Sequence, residues 1–341
     1  MPARPVALST MPEPAPSGGL RFGILGALEV FRDGESCAPT APLQRALLTL
    51  LLLHANEPLP VSRIVDGLWD DRPPRSAVAA LQMYVSAVRR ILTPNWAESG
   101  VGRQHPVLLT RPFGYVIRVG NGQLDVHRFR SLAAEGRRQL AEGRCAEGGE
   151  LFRRALAVWR GPALVDAGRS DAIGRHAVRL ETERLALLQE RIGVDLCQGR
   201  SLELVGELEE LCTRYPLRES FHQQRMLALY LSGSRAEALG AYQLARRTMV
   251  DEAGIEPGPG LRALQRAILT GSAAPSPHCS AVWCATGPGG SGADQPRTGR
   301  RCGVKGCRSG PGYPAGLGRA AGGQGDWAGP AEVNRQPRAR R

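Results

Sequence analysis

A mostly helical fold with a small β component is predicted by three observations. Apolar residues recur at helical spacing through most of residues 42–270. Short alternating stretches near residues 20–37 and 106–118 read as strands. Past residue 271 apolar periodicity vanishes. A chain of 341 residues has room for two or three domains, and 42% hydrophobic content suffices for real cores. No run of about 18 apolar residues occurs, so no membrane span is expected.

Residues 1–19 are Pro-, Ala- and Ser-rich with no apolar signal core, which predicts a flexible leader and a cytoplasmic protein. Leu20-Arg-Phe-Gly-Ile-Leu-Gly-Ala-Leu-Glu-Val-Phe31 reads as β-structure broken by two glycines. Asp33-Gly34 is a hairpin turn signal, with a short return strand through Glu35 to Cys37. Pro42-Leu-Gln-Arg-Ala-Leu-Leu-Thr-Leu-Leu-Leu-Leu53 is a core helix opened by proline and closed at Ala55-Asn56. Pro60-Val-Ser-Arg-Ile-Val-Asp-Gly-Leu-Trp69 predicts a second, shorter helix capped near Ser62. Ser76 starts a long third helix that should stop before Pro94. Pro106-Val-Leu-Leu-Thr-Arg-Pro-Phe-Gly-Tyr-Val-Ile-Arg118 is an apolar hairpin with Arg111 at its turn. Three helices followed by a hairpin, with β-structure in front, make a winged helix over residues 20–122.

On the third helix, Leu81, Val85, Val88 and Leu92 form one apolar stripe toward the core. The opposite face carries Ser76, Ala79, Met83, Ser86, Ala87 and Arg90, with Gln82 and Arg89 at its edges. Small residues let a helix approach base edges closely, and glutamine and arginine are types that pair with adenine and guanine. Arg111 is placed to enter a minor groove or hold a phosphate, and Arg103 and Arg118 to contact the backbone. The candidate DNA-binding residues are therefore Ser76, Gln82, Met83, Ser86, Arg89, Arg90 and Arg111. An ordinary surface helix is the bland alternative, although its exposed face usually carries more Glu and Lys.

The net charge of +12 needs dissecting before it is used. Residues 271–341 hold ten basic and three acidic residues, so most of the excess sits in the tail. Arginines 72, 75, 89, 90, 103, 111 and 118 face a single acid, Glu98, across the proposed reading helix and hairpin. That local cluster is what a phosphate-contacting surface requires. The chain has one lysine, Lys305, against 43 arginines, which points to a GC-rich genome rather than to folding.

Residues 123–270 are expected to be all helical. Leu140-Ala-Glu-Gly143, Leu196-Cys-Gln-Gly199 and Leu231-Ser-Gly233 each end one helix before another begins. The 34 residues from Gly199 to Gly233 match the tetratricopeptide period, and the longer first interval holds the loop around Trp159 to Asp166. Stacked helical hairpins give an interaction surface rather than a catalytic pocket. Phe152, Trp159, Tyr230 and Tyr242 are read as core aromatics.

Cys37, Cys145, Cys197 and Cys212 are scattered singly, as reduced core thiols are. Cys279 and Cys284, and Cys302 and Cys307, repeat a loosely zinc-like spacing, but Gly/Arg-rich flanks give a metal nothing to fold around. Residues 271–341 are expected to be a disordered Gly/Pro/Arg-rich tail, with the composition of an out-of-frame remnant of GC-rich coding DNA. Gly287-Pro-Gly-Gly-Ser-Gly292 starts like a P-loop, yet Ala293-Asp294 stand where Lys and Ser/Thr are needed. The six histidines are isolated, and no catalytic triad is apparent. The reading is a DNA-binding regulator rather than an enzyme, with no cofactor or metal. A helical-repeat adaptor whose winged helix does not bind DNA stays open beside it.

Several motifs carry a family resemblance. Leu25-Gly-Ala-Leu-Glu-Val30, Gln44-Arg-Ala-Leu-Leu48, Leu52-Leu-His-Ala-Asn56 and the run from Leu81-Gln82 to Arg89-Arg90 resemble the Streptomyces antibiotic regulatory proteins. So do Leu109-Thr-Arg-Pro-Phe-Gly-Tyr115, Trp159-Arg-Gly-Pro-Ala-Leu164 and Gly254-Ile-Glu-Pro-Gly-Pro-Gly-Leu261. The resemblance covers about residues 20–270. It implies an OmpR-type winged helix-turn-helix followed by a tetratricopeptide-like bacterial transcriptional activation domain. It also implies activation of antibiotic or other secondary-metabolite gene clusters. The implied partners are double-stranded promoter DNA at tandem direct repeats, RNA polymerase, and further copies of the chain on adjacent repeats. The recognition helix falls on residues 76–92 and the wing turn near Arg111. Ala87 departs from the basic residue many relatives carry, which puts the strength of DNA binding in question. No receiver domain is seen ahead of the winged helix, so phosphorylation control of that kind is not expected.

Overall fold

The computed structural model describes residues 19–94, 96, 105–168 and 170–271. The leader, Arg103 and the tail with its cysteines and P-loop-like segment lie outside those residues. β1 (Leu20–Gly23), β2 (Glu29–Arg32) and β3 (Glu35–Ser36) form an antiparallel meander. Its second turn is Asp33-Gly34, at φ 53° and 93°, the two positive angles that a tight hairpin of this hand demands.

α1 (Pro42–Leu53) opens with its proline in the first turn and buries residues 46–52. α2 (Val61–Trp69) buries Ile64 and Leu68. The hydroxyl cap expected near Ser62 does not form. The chain enters α2 directly from a two-residue strand, β4 (Leu59–Pro60), and the Val61 amide donates to the Phe113 carbonyl at 3.0 Å. An orphan donor of the helix start is thus satisfied by the wing instead of by a side chain. α3 (Ala77–Leu92) buries Leu81, Val85, Val88 and Leu92, the stripe its period predicts. β5 (Leu108–Arg111) and β6 (Gly114–Ile117) make the wing, and the sheet order is β4-β6-β5.

The rest is helical: α4 (Asp125–Ala141), α5 (Cys145–Leu156), α6 (Asp171–Cys197), α7 (Ser201–Arg214), α8 (Glu219–Leu231), α9 (Arg235–Ala253) and α10 (Pro259–Thr270). Gly143, Gly199 and Gly233 follow α4, α6 and α8 at φ between 79° and 88°, the left-handed stop that glycine adopts at least cost. Phe152, Trp159 and Tyr242 are buried, and Tyr230 packs against the core from a half-buried position. Cys145 and Cys212 are buried and Cys37 and Cys197 half-buried; burial pushes the Cys212 thiol up to about 11, the inert condition of a core thiol.

Burial is organised in two clusters whose border lies inside α6. One runs from Phe22 to Val194 and joins the winged helix to α4, α5 and, through Ile173, Leu180, Leu187 and Val194, to α6. The other fills α7 to α10 and takes in Leu185, Ile192 and Leu196 of α6. The first is reinforced by polar ties. The Asp125 carboxylate accepts the amides of Ile24 and Leu25 at 2.8 and 2.9 Å, and Arg160 donates to the same oxygen at 3.0 Å. The Asp166 carboxylate accepts the Leu28 amide at 2.8 Å and pairs with Arg45. The amides of Arg160 and Leu164 donate back to the carbonyls of Leu25 and Ile24. The strings Leu25-Gly-Ala-Leu28 and Trp159-Arg-Gly-Pro-Ala-Leu164, far apart in sequence, therefore meet as one junction.

Candidate nucleic-acid interface

The exposed side of α3 mixes small and polar side chains with two apolar ones. Val78, Ala79, Gln82, Met83, Ser86 and Arg90 are exposed along it, Ala87 is half-buried, and Ser76 is the exposed residue just before the helix. Ser86 Oγ donates to the Gln82 carbonyl at 2.9 Å, which uses its proton and leaves its lone pairs facing out. Arg72 and Arg75, in the turn before α3, are also exposed. Val78 at 54% and Met83 at 65% exposure are large apolar side chains left uncovered on this face.

The wing presents a third. Its two-residue turn is Pro112-Phe113, and Phe113 is 84% exposed at the tip. Arg111 is half-buried at the end of β5 and, with Arg118, Asn56 and Pro58, lines a shallow hollow of about 530 Å³. Asn56 is fixed there by its own side chain, which donates to the Val119 carbonyl at 3.0 Å and accepts the Val119 amide at 2.9 Å.

Arg89 is turned away from the others. Its Nε donates to the Leu108 carbonyl at 3.0 Å and its Nη2 to Thr110 Oγ1 at 2.8 Å, both on β5. The guanidinium carbon lies 6.0 Å from the centre of the Tyr115 ring on β6. Burial lowers the guanidinium from its ordinary value and Tyr115 opposes that shift. The structure thus places Gln82, Met83, Ser86 and Arg90 together on one exposed face, with Ser76 at its start. Arg111 stands apart on the wing, and Arg89 bridges the helix to that wing. Val78 and Phe113 join the exposed set without having been singled out by residue type. Their apolar character hides them among core candidates.

His105 completes the junction between α3 and the wing and is 1% exposed. Its Nδ1 accepts the amides of Val107 and Leu108 at 3.2 and 2.9 Å, so Nε2 carries the proton and donates to the Arg89 carbonyl at 3.1 Å. A second proton would meet two N–H groups. Burial lowers its affinity for that proton below the ordinary value of 6.5, and the Arg89 charge adds to the effect while its carbonyl opposes it. Below pH 6.5 the unfolded chain takes up a proton that the folded chain refuses. The stabilisation is therefore complete above that pH and is lost as pH falls toward the depressed value. His127, His176 and His222 are lowered by burial as well, so the wild type should lose stability in mild acid. Urea midpoints measured from pH 7.5 down to 5 should fall less steeply for His105→Gln; identical slopes would deny His105 any share.

No cluster of His, Cys, Asp and Glu among the described residues is arranged to hold a metal ion, and no described helix is long and apolar enough to cross a membrane.

A family model described as "Bacterial transcriptional activator domain" matches residues 124–269. The chain is 40% identical over 254 residues to the regulatory protein AfsR of Streptomyces coelicolor, a match covering 74% of this chain and 24% of AfsR. It is 39% identical over 250 residues to the regulatory protein DnrI of Streptomyces peucetius, covering 73% of this chain and 92% of DnrI. Among solved structures, Mycobacterium tuberculosis EmbR in complex with a low affinity phosphopeptide matches with a TM-score of 0.69 at 33% identity, over 75% of this chain and 66% of the EmbR chain.

Proposed function

This chain belongs to the Streptomyces antibiotic regulatory protein family of transcriptional regulators, a family of non-enzymes, and from that membership we propose that it is a sequence-specific activator of a secondary-metabolite gene cluster. It binds direct repeats in double-stranded promoter DNA, adjacent copies touch one another there, and the domain at residues 124–269 engages RNA polymerase. Such a protein works in the cytoplasm.

The observation that carries this reading is the exposed face of α3. Gln82 and Arg90 are long donors set among Ala79, Met83 and Ser86, so that the helix backbone approaches a major groove without bulky obstruction. Ser76 and Arg111 take phosphates at the helix start and on the wing. The uncovered apolar side chains support the same reading. Val78 and Met83 suit the methyl groups of thymine, and Phe113 at the wing tip suits the wall of a minor groove. An adaptor docking protein partners through this domain would show a contiguous apolar patch, whereas these three side chains are interspersed with arginines.

In a gel-shift titration of the full chain against promoter fragments, Arg90→Ala should weaken the specific complex by about 1–3 kcal/mol and leave nonspecific binding nearly unchanged. Equal affinity of wild type and Arg90→Ala for operator and scrambled DNA would remove Arg90 from base reading. Failure of the folded wild type to form any discrete complex would favour the adaptor.

A further inference from the structure

We propose that Arg89 is a positioning residue that locks the wing to the recognition helix, so that the exposed face of α3 and the wing tip meet the duplex as one rigid surface. This rests on the DNA-binding reading above. β6 is held by β4 and by Tyr115 and Ile117 in the core, whereas β5 is the outer strand of the wing. The wing's strands are four residues each, its third strand is two residues long, and residues 93–107 separate it from α3. A hairpin of that size is marginal alone. Arg89 adds a tie on the outer edge of β5 from the last turn of α3, where its side chain reaches the Leu108 carbonyl and the Thr110 hydroxyl. Its own carbonyl receives His105 Nε2, and the same imidazole receives the amides that open β5. One residue therefore holds the wing through its side chain and its backbone. The planar fork matters, because a lysine ammonium is a single point that does not reproduce the paired Nε and Nη2 geometry.

A phosphate contact and a positioning residue differ in what lysine can replace, since an ammonium keeps a phosphate contact but not the paired fork. Each phosphate contact adds about 0.9 to the slope of log affinity against log salt, because it releases a counterion. The full chain is titrated on a direct-repeat fragment between 50 and 300 mM salt, with hydroxyl-radical footprints of each complex. Arg118→Ala serves as the exposed phosphate-contact reference. Arg89→Ala and Arg89→Lys should both weaken binding roughly tenfold. Their slopes should fall together, because both variants lose the phosphate contacts of the wing, and protection under the wing should be lost while protection under α3 persists. Thr110→Val, an exposed change that leaves the charge in place, should do the same to a smaller degree. Wild-type affinity and slope for Arg89→Lys beside a reduced slope in Arg89→Ala, or unchanged wing protection in Thr110→Val, overturns the positioning role. A folded wild type with no salt-sensitive complex removes the DNA-binding reading itself, and this role with it.

Discussion

Gly114→Ala should destabilise the chain by more than about 4 kcal/mol and abolish DNA binding, the largest effect expected of any single methyl group here. Gly114 opens β6 against β4. A Cβ built there would lie 2.0 Å from the Leu59 carbonyl oxygen, 2.8 Å from its carbon and 2.9 Å from Pro60 Cα. All three are backbone atoms, so no rotamer relieves the clash. Gly114 is not in the left-handed region, and the requirement is for close approach alone. Making room would part β4 from β6, break the Val61–Phe113 hydrogen bond at the start of α2 and release the wing. Urea denaturation of both proteins checks this directly; a loss below about 1 kcal/mol would mean that β4 gives way without cost.

Asp195→Ala should cost about 3–5 kcal/mol, because it strands buried positive charge. The Asp195 carboxylate is nearly inaccessible. It accepts from Arg153 at 2.8 Å on α5, Arg191 at 3.1 Å on α6 and Arg200 at 3.2 Å before α7. Arg191 is itself buried and retains only its pair with Glu207. Removing one acid thus leaves arginines from three elements facing each other. Asp195→Asn should be milder, since the amide oxygen still accepts while the charge is lost. A thermal melt resolves the order. Equal stability of Asp195→Ala and wild type would show that water and Glu207 take over the neutralisation.

The local grammar of the fold was legible in the residues. Asp33-Gly34 announces its turn, Pro42 its helix start, and Leu81, Val85, Val88 and Leu92 their buried stripe. Gly143, Gly199 and Gly233 mark where helices stop, because a left-handed residue is a local demand that one residue type meets best. What escaped was set by distant partners. β4 has two residues, one of them proline, and exists only because Gly114 lets β6 approach it. Arg89 sits at the edge of the exposed arc of α3, where spacing alone does not decide between groove and wing; Leu108 and Thr110 decide it. His105 reads as an isolated histidine until its amide partners are in place. Asp125 and Asp166 are unremarkable acids in the sequence, and their work is done on amides 100 to 138 residues away.

Under the proposed binding to direct repeats, those acids have a consequence for promoter architecture. Through Asp125, Asp166 and Arg160 the helical hairpins are fastened to the β1–β2 turn, and the winged helix carries them as a rigid outrigger. On a duplex that turns once in about 10.5 bp, the distance between two repeats then becomes an angle. Adding about 5 bp between repeats swings the second copy's hairpins to the far side of the DNA, while adding about 10 bp restores their bearing and changes only their separation. Transcription should therefore oscillate with spacer length, and the depth of that oscillation measures how stiffly this junction holds.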